Sequence, residues 1–317
     1  MVTSPLIVLV GPTASGKTAL ALHLAEQFHG EIVSCDSVAV YREMEIGTAK
    51  PSREERAFVP HHMIDVAWPD EACTAGDYSR QARESLAGIT ERGHLPIVAG
   101  GTGLYLRALT DGLFPSPPAH PGRREVLSRR AETHGPAYLH RLLTRLDPTA
   151  AAAIHANDVS KVVRAIEVSL AAKQPLTEQW EKGRDALTGY SILRLGLEPP
   201  RPALYERINH RAAAMFDRGL VEETERLIER YGRDCRPLTS LGYAEAAAVL
   251  RNELTRDQAV AQAQQGHRNY AKRQGTWFRR DTDIHWLKGF GDQEDIVARA
   301  HQLVSLHLNQ QAQLENL

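Results

Sequence analysis

The sequence predicts an α/β fold: a parallel sheet flanked by helices, interrupted by an inserted all-helical domain and followed by a helical C-terminal region. Three observations carry this expectation. Short unbroken apolar runs alternate with helical patterns as far as Phe114, a proline-rich segment then ends that alternation, and one further apolar run at Tyr190 to Leu197 is followed by helical sequence alone.

The elements follow in order. Leu6 to Val10 is apolar without alternation, as a strand buried on both faces requires, and Thr18 to Phe28 reads as a helix rich in Ala and Leu. Glu31 to Cys35 is a second strand ending in Asp36-Ser37. Met63 to Val66 is a third, and Leu95 to Ala99 a fourth that runs into Gly100-Gly101-Thr102-Gly103. Four prolines between Pro115 and Pro121 exclude both helix and central strand, and residues from there to about Leu187 are helical in pattern. The expected division is residues 1–114 with 189–317 as the core, and 115–188 as the insertion.

Composition narrows the function. At 317 residues with 42% hydrophobic and 24% charged residues the chain can bury one large core or two unequal ones. A net charge of −1 means that any nucleic acid must be held by a local basic patch. Cys35, Cys73 and Cys235 form no CxxC pair, which argues against a zinc site and a disulfide framework. No apolar run approaches the ~20 residues of a membrane span, so the expectation is a cytoplasmic protein without membrane contact.

Gly11-Pro12-Thr13-Ala14-Ser15-Gly16-Lys17-Thr18 satisfies GxxxxGK[ST] between a strand and a helix, which makes the fold P-loop NTPase-like. Glycines let successive amides converge on an anion, the helix N-terminus adds its positive dipole end, Lys17 brings a point charge, and the Thr18 hydroxyl can ligate Mg2+. ATP-binding and other nucleotide-binding proteins share this loop, so residues opposite it must decide the reaction. "SCDSVAVYREMEIGTAKPS" puts Asp36 at the end of the second strand, beside the loop, with Arg42 and Lys50 following. A carboxylate there can ligate magnesium or take a proton from a nucleophile. Asp65 in "HHMIDV" is expected to be a turn carboxylate. His61 and His62, adjacent in a strand, point to opposite faces and are not expected to bind metal. His155 and Asp158 fit a surface or helix-cap role.

The C-terminal segment between His267 and Arg280 holds five basic residues and no acidic one. Arg268, Lys272 and Arg279 fall on one helical stripe, and Tyr270, Gln274 and Trp277 on another. This segment is a footprint for a polyanion, with aromatics available to stack.

Taken together, "GPTASGKT", "DSVAVYREMEIGTAKP", "AGGTGLYLRAL", "RINHRAAAMFDRGL", "LGY" and "YAKRQGTWFRR" resemble, in order and spacing, the tRNA dimethylallyltransferases (tRNA isopentenyltransferases), over nearly the whole chain. The resemblance implies transfer of a dimethylallyl group from dimethylallyl diphosphate to the exocyclic N6 amine of the adenosine just 3′ of the tRNA anticodon (position 37), with release of diphosphate. By resemblance Gly11 to Thr18 and Arg211 hold the diphosphate with Mg2+ on Thr18, Lys17 neutralises charge on the leaving group, Asp36 is the base, and Thr102 hydrogen-bonds the adenine. It further implies contacts to the tRNA anticodon stem-loop from Asp36, Ser37, Val38 and Ala39, from Thr102 and Arg124, and from Ser160, Lys161, Val162, Val163 and Arg164. The same holds for Thr239, Ser240, Leu241, Gly242, Tyr243 and Ala244, and for Lys272, Arg273, Gln274, Gly275, Thr276, Trp277, Phe278 and Arg279. A monomer is the expected state.

The chain departs from the family pattern at Ala244, where many relatives carry a basic residue, and in "HRNYAKRQ" where "TRQYAKRQ" is more usual. A small-molecule kinase using ATP on the same loop would have no use for the basic C-terminal helix. An isopentenyltransferase of free adenine nucleotides would have little use for the insertion, and a nucleotide-switch RNA chaperone would need hydrolysis machinery that the sequence does not offer.

Overall fold

Leu6, Ile7, Val8 and Leu9 are fully buried, and their side chains alternate between two cores. Leu6, Val8 and Val10 join one apolar cluster and Ile7 and Leu9 the other, so this strand is the middle layer of a three-layer sandwich. In the computed structural model, which describes residues 3–114, 117, 121–181 and 183–315, the strand is β1 (Ser4–Val10). It leads through the glycine-rich loop into α1 (Lys17–Gln27) and then β2 (Gly30–Cys35). Next come α2 (Arg53–Phe58), β3 (His61–His62), α3 (Ala75–Glu91), β4 (Leu95–Gly100) and α4 (Gly103–Thr110).

The sheet order is β3-β2-β4-β1, continued by β5 (Tyr190–Leu197) and β6 (Ile284–Leu287), and every pairing is parallel. From β1 the chain crosses β4 to build one side, then returns through β5 to build the other. The carboxyl end of β1 therefore lies at the reversal of strand order, where an α/β sheet opens a crevice.

Two expectations shift. The third strand is His61–His62, not Met63 to Val66: Met63 (φ 61°) and Asp65 (φ 57°) turn the chain out of the sheet. The sixth strand, "IHWL", pairs with β5 from Arg194↔Ile284 to Leu197↔Leu287 and was not anticipated.

The chain divides into two compact units, Met1–Thr110 with Leu187–Leu317, and Asp111–Ala186. In the second, α5 (Pro121–His134), α6 (Pro136–Leu146), α7 (Pro148–Ala153), α8 (Val159–Ala172) and α9 (Leu176–Glu181) enclose a core of Leu139, Leu143, Ala150, Val162 and Ile166. Asp147 and Asp158 cap α7 and α8. Of the proline run, residues 115–116 and 118–120 lie outside the described residues. In the first unit α10 (Arg201–Asp217), α11 (Leu220–Tyr231), α12 (Tyr243–Leu250) and α13 (Arg256–Phe278) follow β5, and α14 (Glu294–Glu315) closes the chain.

At the start of β2 Glu31 is buried. Arg92 binds it through two guanidinium nitrogens at 3.0 and 2.8 Å, and His62 and His94 each approach to 2.6 Å. The Arg92 hydrogen bond leads in holding the carboxyl down to about 2. A carboxyl depressed in the fold stabilises it fully above its unfolded pKa of about 4.3, and that stabilisation fades as pH falls toward 2. Urea midpoints of the wild type should drop over that window, whereas Glu31→Ala should start about 2 kcal/mol less stable at pH 7 and show a shallower drop.

Candidate active site

The loop after β1 is shaped around backbone amides. Gly16, the N-cap of α1, takes φ 88°, and a Cβ there would lie 2.7 Å from the Gly291 nitrogen. The Gly291 N–H donates to the Ser15 carbonyl at 2.9 Å, so the segment after β6 buttresses the loop from behind. The first turn of α1 holds no acidic residue, which leaves the positive end of its dipole uncompensated. Thr18 is exposed in that turn, and the buried Ser15 hydroxyl has no hydrogen-bond partner among the described residues.

A cavity of about 1030 Å³ opens over this loop, at the carboxyl edge of β1, β2 and β4. Lys17 points into it, its Nζ donating to the Gly11 and Pro12 carbonyls at 3.0 and 2.7 Å. Burial, then the neighbouring Arg211, pull the ammonium down to about 7 against the pull of Asp36. Arg211 on α10 donates to the Thr13 hydroxyl, and burial lowers its pKa as well. Arg207, one turn earlier, also lines the cavity, but Asp292 neutralises it at 2.8 Å and its guanidinium lies 3.7 Å from the Phe290 ring centre.

Asp36 faces these cations from the end of β2. Its Oδ1 accepts the Val38 and Ala39 amides at 2.8 and 3.2 Å, which locks the turn, while no hydrogen bond within the described residues engages Oδ2. Thr102 sits beside it: its N–H donates to the Cys35 carbonyl at 3.1 Å and its hydroxyl accepts the Ser37 N–H at 3.0 Å. Gly100 permits this approach, since a Cβ there would lie 2.1 Å from the Cys35 oxygen. Burial, then the charge of Asp36, push the Tyr270 phenol up to about 12 against its hydrogen bond with Thr102, so it stays protonated.

Ser37, Val38, Ala39, Thr239, Ser240, Leu241, Arg273 and Gln274 all line the same cavity. Arg273 is exposed, 5.7 Å over the Tyr270 ring, with no acidic partner among the described residues. Lys272, Gly275 and Arg279 instead border a small recess behind Pro12, where Arg279 pairs with Glu198 at 2.9 Å. Thr276 is exposed and Trp277 39% exposed, its indole lying where a Gly103 Cβ would go. The Gly242 N–H donates to Glu245 at the start of α12, and Ala244 is half-buried.

Several residues of the expected tRNA-contact stretches have side chains in the interior. Phe278 and Tyr243 are core residues of the first unit, with Tyr243 donating to Glu223 at 2.6 Å, and Val162 and Val163 are core residues of the helical unit. Gln274 is also buried, its amide bonded to Thr13 and Gly101. In the helical unit Arg124 and Arg164 both bind the buried Glu167 at 2.7 and 2.9 Å, and Ser160 and Lys161 are exposed. Asp65 pairs with Lys50 and Arg56 at 2.6 and 2.7 Å, consistent with a structural turn.

Sequence reading passed over Arg207 and His267 as site residues. His267 lines the cavity, its Nε2 without a partner among the described residues, and burial followed by Arg211 brings it down to about 4, so it is neutral at pH 7. Both lie about one helical turn from named candidates, Arg207 from Arg211 and His267 from Tyr270, and that spacing is the available signal.

Among the described residues no group of three or more His, Cys, Asp or Glu is arranged to hold a metal. Magnesium needs few protein oxygens, because it keeps waters and takes substrate phosphate oxygens. The exposed Thr18 hydroxyl, with Asp36 also lining the cavity, fits an ion that arrives with a diphosphate rather than a dedicated protein cage.

A glycine-rich phosphate loop at the switch point of a parallel sheet, with a carboxylate at the end of the neighbouring strand, defines a P-loop enzyme. The family model described as IPP transferase matches residues 39–281, and that described as isopentenyl transferase matches residues 4–64. The tRNA dimethylallyltransferase of Koribacter versatilis is 63% identical over 94% of this chain and 97% of its own length. That of Solibacter usitatus is 50% identical over 96% and 100%. The full-length tRNA isopentenylpyrophosphate transferase of Bacillus halodurans superimposes with a TM-score of 0.73 at 35% identity, covering 99% of this chain and 100% of that one. A eukaryotic dimethylallyltransferase acting on tRNA gives 0.76 at 26% identity, over 90% of this chain and 74% of that one. The chain belongs to the tRNA dimethylallyltransferase (IPP transferase) family.

With Lys17 near 7, an anion seated on the loop will favour its charged form and draw a proton from solvent. At pH 8, calorimetric titration with inorganic diphosphate in buffers of different ionisation enthalpy should show more proton uptake by the wild type than by Lys17→Arg, whose side chain is always charged. Equal uptake by both would contradict the assignment.

Proposed function

We propose that this chain transfers the dimethylallyl group of dimethylallyl diphosphate to the exocyclic N6 amine of the adenosine 3′ of the tRNA anticodon. The observation that carries this reading is an imbalance of charge. Lys17, Arg211 and Arg273 line one cavity without an acidic partner among the described residues, against Asp36; Glu55, the other carboxylate there, caps α2. Such a site favours a polyanion carrying more than one negative charge. The free Asp36 oxygen nearby supports a reaction in which a proton must be removed.

The reaction balances as follows. The N6 lone pair forms a bond to the allylic carbon, the carbon–oxygen bond breaks with its electron pair leaving on the diphosphate, and one N6 proton passes to Asp36 Oδ2. Lys17, Arg211 and the amides of Ala14 to Thr18 stabilise the charge that grows on the bridging oxygen. Thr18 would hold Mg2+, and the ion would supply further neutralisation of that charge. An aromatic amine is a weak nucleophile, so alignment matters more than its basicity. Thr102 and Tyr270 orient the purine beside Asp36. The target base must leave its stack to reach them, and the exposed Trp277, Thr276 and Arg273 at the end of α13 offer the RNA aromatic and cationic contacts at the surface.

Incubation with labelled dimethylallyl diphosphate and an unmodified anticodon stem-loop should place label in the RNA, with none entering AMP or ATP. Asp36→Asn should lower kcat by roughly 100-fold or more while leaving the Kd for the stem-loop within a few-fold. Arg273→Ala should weaken stem-loop binding and reduce the slope of log K against log salt by about 1. Equal losses of RNA affinity in the two variants would make Asp36 a recognition residue.

A further inference from the structure

One buried carboxamide joins the two halves of the site. Gln274, 5% exposed, accepts the Thr13 N–H on Oε1 at 2.8 Å and donates from Nε2 to the Gly101 carbonyl at 3.0 Å. The orientation of the amide is fixed by its partners, because a backbone N–H can only donate and a carbonyl can only accept. Thr13 belongs to the phosphate loop and touches Arg211, and Gly101 immediately precedes Thr102. Gly101 has no Cβ where one would stand 2.0 Å from Nε2, so the backbone of the turn is cut to receive this amide. The buried face of α13 runs Ala259, Ala263, His267, Ala271, Gln274, Phe278, and among these Gln274 bonds two other segments at once.

We infer that Gln274 is a positioning residue that sets the separation between the phosphate loop and the turn carrying Thr102, and hence between donor carbon and acceptor amine. The inference rests on the prenyl-transfer reading above. It assigns to Gln274 an internal tie rather than a contact to RNA. Since α13 also presents Arg273 and Trp277 at the surface, RNA seated on that helix bears on the same tie that spaces the reacting groups.

The test compares Gln274→Met, near-isosteric but unable to make either bond, with Gly101→Ala, which displaces the amide. Both variants are first checked for an intact melting transition. Single-turnover transfer to the stem-loop should fall about 10- to 100-fold in each, with the double variant no slower than the worse single. Kd values for the stem-loop and for inorganic diphosphate should stay within threefold of wild type. Independently of activity, amide exchange should accelerate in both residues 11–16 and 100–104 of Gln274→Met. In Gln274→Glu the rate relative to wild type should rise as pH falls, because the protonated carboxyl regains the donor that Gly101 needs. Unchanged turnover with unchanged exchange, or a loss confined to stem-loop affinity, would overturn the inference. Wild type that binds diphosphate without prenylating the stem-loop would overturn the functional reading instead, while the exchange measurement would still decide whether the tie exists.

Discussion

The structure depends on a surplus of positive charge held in a partly desolvated crevice. Lys17 and Arg211 are both lowered in pKa by burial, which means that the fold keeps two cations where water solvates them poorly. A chain can tolerate this only where the groups find carbonyls and hydroxyls of their own loop, as Lys17 does with Gly11 and Pro12 and Arg211 does with Thr13. A bound polyanion exchanges those neutral acceptors for charged ones, so the crevice is prepared for its ligand at some expense to the fold.

Everything around the crevice serves to keep that arrangement rigid. The sheet reverses its strand order at β1, which opens the crevice. The segment after β6 supports the loop through Gly291, Asp36 closes its own turn through two amides, and Glu223 receives the Glu45 and Ile46 amides so that the segment carrying Lys50 keeps its place. Lys50 and Arg207, which also face the cavity, are neutralised by Asp65 and Asp292. The fold thus separates cations that hold structure from cations left for a substrate.

Much of this was legible in the sequence because it is local. A strand, a GxxxxGKT loop and a helix specify their own geometry, and Asp36 followed by small and polar residues specifies a turn. The short third strand was misplaced because Met63 and Asp65 adopt positive φ, which neither residue type announces, and four residues of β6 are too few to stand out from helical surroundings. In the tRNA-contact stretches the limit is of a different kind. A motif marks a run of residues, whereas a helix turns alternate members of that run inward, so Phe278 and Gln274 are buried while Arg273 and Trp277 are exposed. The 4-3-4 spacing of His267, Ala271, Gln274 and Phe278 held that information and outranks motif membership as a guide to which side chains reach a ligand.

The central claim is that the loop binds the leaving diphosphate of a prenyl donor with its reacting carbon turned toward Asp36. A crystal structure of the chain with a non-reactive thiolo analogue of dimethylallyl diphosphate tests this directly. Phosphate oxygens are expected on the amides of residues 14–18 and on Lys17 and Arg211, with the allylic carbon between Asp36 and Thr102. Phosphates seated elsewhere, or an isoprenoid tail directed away from Asp36, would contradict it.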